Sequence, residues 1–292
     1  MTKPIYQAVD HLIIRLPDIE PLFSLFNNVF GLPVSWPQQS SSFATFGWIN
    51  VGNTNLELWA AASNSDLPPD CQPPLFHGLA LDPCDLSSSI SQLLALGIAC
   101  KTPRPYQTAN ECGVLVTNFT NSVVIDLSSE SCCVFFCAWD KNGSIFPWQE
   151  KLTSAQRRAR DLATFRRCQG GSLGLIGLSE IELSVPSIVE ATAKWQALTG
   201  SDSQPIALTD DISLRLVSGE RTVIQSLVFQ VRSLEITKAF LESRNLLETN
   251  SARELMCSTV ATGGLKFKFV ESDQKQRLHL IHNAKSAREV LP

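Results

Sequence analysis

One pattern occurs four times along the chain: a short apolar strand, a turn, an amphipathic helix and a Gly or Asn stop, followed by further strand-like runs. Such self-similarity constrains the architecture more than any single segment does, because each copy must bury its apolar face against another copy. In the first copy His11 to Pro17 reads as a strand. Ile19 to Phe30 reads as a helix, with Leu22, Phe23, Leu25, Phe26, Val29 and Phe30 at helical spacing before Gly31. Strands over Phe43 to Val51 and Asn55 to Trp59 follow. The second copy has a strand at His77 to Pro83, a helix over Leu86 to Leu96, a stop at Gly97 and returning strands at Gly113 to Phe119 and Cys132 to Trp139. The third has Glu180 to Pro186, a helix over Ile188 to Leu198 and Gly200; the fourth has Gln225 to Val231, a helix over Leu234 to Arg244 and Asn245. Anchor and stop stand 20 residues apart in all four copies. Gly, and less often Asn, suits the left-handed position that closes a helix.

Length decides nothing by itself, since 292 residues fit one large domain or two medium ones. The repeat divides them into an N-terminal domain of two modules over 1–140, a charged linker over 141–173 and a C-terminal domain of two modules over 174–292. With 44% hydrophobic and 18% charged residues, the chain can bury a sizeable core. A formal net charge of −4 lacks the footprint of a nucleic-acid binder, and no run of 18 uncharged apolar residues offers a membrane span. The most basic stretch, Lys151 to Arg167, carries Arg157, Arg158, Arg160, Arg166 and Arg167 together with Asp161, and reads as a solvated helix or linker face. Nine scattered cysteines with no C-x-x-C pair and no secretory leader fit neither a zinc ribbon nor a disulfide scaffold. The expectation is a reduced, cytoplasmic protein with a small-molecule partner; a homodimer stays open.

Strand periodicity puts His11, Ile13 and Arg15 on one face of the first strand and Leu12, Ile14 and Leu16 on the other. Asn55, Glu57 and Trp59 likewise share a face opposite Leu56 and Leu58. With Val9-Asp10-His11-Leu12-Ile13-Ile14, the helix exit Phe30-Gly31-Leu32-Pro33-Val34 and Gly52-Asn53-Thr54-Asn55-Leu56-Glu57-Leu58, the chain resembles the vicinal oxygen chelate superfamily of glyoxalases, bleomycin resistance proteins and extradiol dioxygenases. The resemblance implies an α+β fold of four βαβββ modules paired into two glyoxalase-like domains with curved mixed sheets, each pair forming a cup.

By the same resemblance, metal ligands come from the first and last strands of each module, which gives His11, Glu57 and His77. The remaining strand, Val134-Phe135-Phe136-Cys137-Ala138-Trp139, is similar to family strands ending Phe-Phe-Cys-Glu-Tyr, with Ala138 where the glutamate would stand. Two imidazoles and one carboxylate suit one divalent ion with open positions, Fe(II) foremost, with Zn, Mn, Ni or Co open. The resemblance therefore implies a metal-dependent enzyme that chelates a small substrate through adjacent oxygens, an Fe(II) dioxygenase first. A glyoxalase-like isomerase or lyase and a metal-free small-molecule-binding or resistance-type protein are the alternatives. Arg15, Trp59, Tyr106, Phe136 and Ala138 are the expected substrate contacts, and no residue is assigned as catalytic base. The second domain has Glu180, Gln225 and Arg215 at the ligand positions and reads as a degenerate copy, while His279 and His282 read as surface or packing residues. Cys132 and Cys133 read as structural, and no dinucleotide fingerprint, phosphate loop or nucleophile elbow competes.

Overall fold

A computed structural model describes residues 4–272, so His279 and His282 lie outside the described residues. The first module comprises β1 (Tyr6–Arg15), α1 (Glu20–Ser24, widening into a π turn over Leu25–Val29), β2 (Val34–Ser40), β3 (Ala44–Asn50) and β4 (Asn55–Ala61). The second comprises β5 (Leu75–Pro83), α2 (Leu86–Ala95), β6 (Arg104–Ala109), β7 (Leu115–Val123) and β8 (Cys133–Trp139). After α3 (Ser154–Arg167) comes a third module with one strand fewer: β9 (Leu175–Val185), α4 (Ile188–Thr199), β10 (Ile206–Ala207) and β11 (Ser213–Ser218). The fourth has β12 (Val223–Val231), α5 (Leu234–Ser243), β13 (Leu247–Asn250), β14 (Glu254–Cys257) and β15 (Lys266–Glu271). The fold is α+β, a large curved mixed sheet with few helices. Among the described residues no helix is long and apolar enough to cross a membrane.

Local chemistry explains the helix limits. The side chains of Asp85, Ser187 and Ser233 accept a backbone N–H at the starts of α2, α4 and α5. The four stops Gly31, Gly97, Gly200 and Asn245 have φ of 73°, 76°, 69° and 57°, the left-handed conformation that the repeat requires.

The halves share one apolar core. Phe267 of β15 lies edge-on to Phe26, 5.2 Å away, and to Phe76, 5.4 Å away, and a bridge between Ile224 and Phe76 joins β12 to β5. The basic linker stretch departs from its expected solvated state. It folds as α3 behind a Thr153–Gln156 capping box and buries Arg157 (3% exposed), Asp161 and Phe165, because Asp10 and aromatic rings of the N-terminal half give the cation partners. Gly171 then passes so close to α1 that a Cβ there would strike the Phe30 carbonyl, and the Ser172 N–H donates to that carbonyl at 2.7 Å.

Register decides which residues share the cup. β1 and β5 run antiparallel with Leu12 opposite Leu79, His11 opposite Ala80 and Ile13 opposite Gly78. Rotation about the Leu12–Leu79 pair exchanges His11 with Gly78 and Asp10 with His77; Asp10 and His77 are each skipped by the ladder, as bulge residues. The other half repeats this about Ile181–Leu227, exchanging Glu180 with Ser226 and leaving Ser179 and Gln225 at the bulges. The anchors His77 and Gln225 therefore sit one position before the structural counterparts of His11 and Glu180. A slip of one residue moves every side chain of a strand to the opposite face.

Candidate functional site

The cup of the N-terminal half is floored by β1 and β4, whose parallel pairing sets Ile13 beside Glu57 and His11 beside Asn55. Leu12, Ile14, Leu56 and Leu58 face the core, which turns the alternate residues into the cup. There His11 Nε2 stands 3.3 Å from the Glu57 carboxylate, while His11 Nδ1 is 2.8 Å from Asp10 Oδ2. Asp10 also accepts from the Trp139 indole N–H at 2.9 Å and from the Arg157 guanidinium.

These four groups form a buried chain of charge: Arg157, Asp10, His11 and Glu57. Burial works to raise the Asp10 pKa, yet the Arg157 charge and the hydrogen bonds from His11 and Trp139 outweigh it and hold the carboxyl well below its ordinary range. Arg157 is shifted upward, since the charges of Asp10 and Asp161 overcome its own burial. An ionised Asp10 can only accept, so Nδ1 of His11 carries the hydrogen and Nε2 is the atom turned to Glu57. Burial raises the pKa of Glu57, against the opposing influence of His11 and of the nearby Trp48 indole.

Aromatic walls enclose a cavity of about 380 Å³ above Glu57, within the range of small-molecule sites. Trp59 stacks on Phe46 at 5.7 Å on one wall, and Tyr106 stacks on Phe119 at 4.9 Å on another. Trp36, Trp48 and Trp139 lie within 5.5–6.1 Å of one another at the base. Segment 144–148 folds back over this base: the Ser144 and Ile145 N–H groups donate to Asn118, Phe146 stacks on Trp148, and the Arg160 guanidinium covers Trp148 at 4.0 Å. Trp36 and Trp139 were not among the expected contacts. On β8 the period of two that sends Val134 and Phe136 into the core marks Trp139 as cup-facing, whereas β2 carries no such pattern around Trp36.

Of the expected substrate contacts, Trp59 and Tyr106 line this cavity. Phe136 does not: it is fully buried in the core, since the cup face of β8 carries Phe135, Cys137 and Trp139. For the same reason of strand alternation, Ala138 lines a separate cleft with Gln7, Asp82 and Thr153. Arg15 is withdrawn from the cavity by a two-pronged pairing with Asp66 at 2.7 and 3.0 Å and a bond to Asn64 at 2.7 Å.

The expected set of His11, Glu57 and His77 is not gathered. His77 occupies its bulge beside Arg15 and Asp66, with Nδ1 buried and unpartnered. Its pKa is pushed down to about 4, by burial first and by the Arg15 charge second. At the floor positions related to His11 and Glu57 by the internal symmetry stand Gly78 and Phe135, neither of which offers a donor atom. Among the described residues no three His, Cys, Asp or Glu side chains could hold a metal ion. The donors present do not fit a divalent ion held by the expected three ligands.

The corresponding floor of the other half carries Glu180, Arg215, Ser226 and Lys268, placed by the same register. Arg215 clasps Glu180 at 2.7 and 3.0 Å, and Lys268 pairs with Glu182 at 2.8 Å.

No family model matches the chain, and no curated protein matches its sequence. Solved structures do match. A hypothetical protein from Staphylococcus aureus superposes with a TM-score of 0.60 at 11% identity, covering 91% of this chain and 99% of that one. A mutant of 4-hydroxymandelate synthase from Streptomyces coelicolor gives 0.61 at 10% identity, over 93% and 94%. The 2,3-dioxygenase LapB from Pseudomonas sp. KL28 gives 0.57 at 14% identity, over 93% and 94%.

Proposed function

Since the chain has the vicinal oxygen chelate fold of these neighbours, we propose that it is a small-molecule-binding protein whose ligand occupies the N-terminal aromatic cup, above Glu57 and His11, without a resident divalent metal. The observation that carries this reading is the floor itself. A 380 Å³ aromatic cavity ends on one carboxylate, Glu57, with the His11 imidazole 3.3 Å from it, and the two symmetry-related positions are Gly78 and Phe135. A neighbour named 4-hydroxymandelate synthase handles a small molecule on the same fold, which supports the size of the ligand and leaves the reaction open.

A second reading follows from the Asp10–His11 hydrogen bond. Metal-binding histidines commonly donate their second ring N–H to a carboxylate, as His11 does. Under this reading His11 Nε2 and Glu57 hold a divalent ion, Fe(II) foremost, and the protein is a dioxygenase, isomerase or lyase. Elemental analysis of protein purified without a metal-binding tag separates the two. The binding reading expects far less than one divalent ion per chain. One ion per chain, lost in both His11→Ala and Glu57→Ala, would establish the metal enzyme in its place.

A further inference from the structure

Resting on the cup-binding reading, we propose that the ligand is an organic cation with a flat aromatic body, held between the tryptophan faces with its charge toward Glu57. The walls are π faces, which carry negative charge and attract cations, most of all when water is excluded. Among the residues lining the cavity there is one ionisable carboxylate, Glu57, and no Lys, Arg or His. Outside the lining, Arg157 pairs with Asp10, Arg15 pairs with Asp66, and the His11 imidazole stands 3.3 Å from Glu57, between that carboxylate and Asp10. An anionic ligand would therefore meet the Glu57 carboxylate with no cationic side chain in the cavity lining to pair with.

The protein already uses these rings in this way. The Arg157 guanidinium lies 5.1 Å from the Trp139 ring centroid and 5.7 Å from that of Trp48. Both rings also line the cavity. Trp59, partly exposed and stacked on Phe46, offers a third face toward the opening.

The test compares three probes of one shape by equilibrium dialysis: N-methylquinolinium, its neutral isostere 1-methylnaphthalene, and the anion 1-naphthoate. The cation is expected to bind about tenfold or more tightly than the neutral isostere. Glu57→Gln should remove most of that preference with little change for the neutral probe. Trp59→Leu, which keeps an apolar wall and removes a π face, should weaken the cation more than the isostere. Equal or tighter binding of the neutral or anionic probe, or a preference untouched by both substitutions, overturns the cation proposal and leaves the cup-binding reading standing. Failure of all three probes to bind overturns both.

Discussion

The two cups are built on one register and floored by opposite chemistry. In the N-terminal half the four equivalent positions are His11, Glu57, Gly78 and Phe135; in the C-terminal half they are Glu180, Arg215, Ser226 and Lys268. The second cup neutralises its charges within itself, through Arg215 on Glu180 and Lys268 on Glu182. The first imports its counter-charge from outside the modules, as Arg157 of α3. In the second cup the pairing is between residues of the cup's own strands, β9 with β11 and β9 with β15. Where the cation comes from α3, the cavity lining keeps its tryptophan faces and holds no cationic side chain.

Three measurements would break or sharpen this contrast. The largest effect is expected from Arg157→Met, which leaves the buried Asp10 carboxylate without its cation. Removing one partner of such a pair costs about 3–5 kcal/mol, so urea unfolding should show a loss of this order, partly recovered when Asp10→Asn is added. A loss below about 1 kcal/mol, the range of exposed pairs, would place Arg157 among ordinary surface cations.

An intermediate effect concerns pH. Because the His77 pKa is lowered in the folded chain, to about 4, the unfolded chain binds more protons between about pH 6.5 and 4. Stability therefore falls as pH drops through that window, by about 2–3 kcal/mol in all, and His77→Gln should lack this step. Asp10 acts lower still. Its depressed pKa gives stability that is complete above the ordinary carboxylate range and is lost as pH falls below about 4. Unfolding free energies at pH 7 and pH 4.5 check the His77 contribution separately. The smallest effect is expected from Arg215→Ala, since that guanidinium is half-exposed: about 0.5 kcal/mol or less by the same unfolding assay.

Much of the fold is legible in the residues. The stops Gly31, Gly97, Gly200 and Asn245 mark four helix ends, and alternation along Leu12, Ile14, Leu56 and Leu58 separates core from cup. The site is legible only in its first module. His11 and Glu57 meet as the strand pattern implies, but bulges at Asp10 and His77 shift the partner strand by one residue, and a ladder irregularity of that kind leaves no mark in composition or spacing. On β8, whose ladders with β5 and β7 run without a shift, plain alternation sets Phe136 and Ala138 on the far side and Phe135 and Trp139 inward. The burial of Arg157 is illegible for another reason. A guanidinium in a mixed charge run looks solvated until Asp10, distant by 147 residues, is known to lie beneath it.

The shared core also limits how the chain can be divided. Phe26 and Phe76, from the half that carries the cup, rest against Phe267 near the end of the described chain, and Tyr6 donates to the Leu208 carbonyl at 2.6 Å. A fragment ending after β8 would retain every wall of the cavity except segment 144–148, yet it would lose α3 and lay bare the apolar side of α1. The two halves are thus one packed unit.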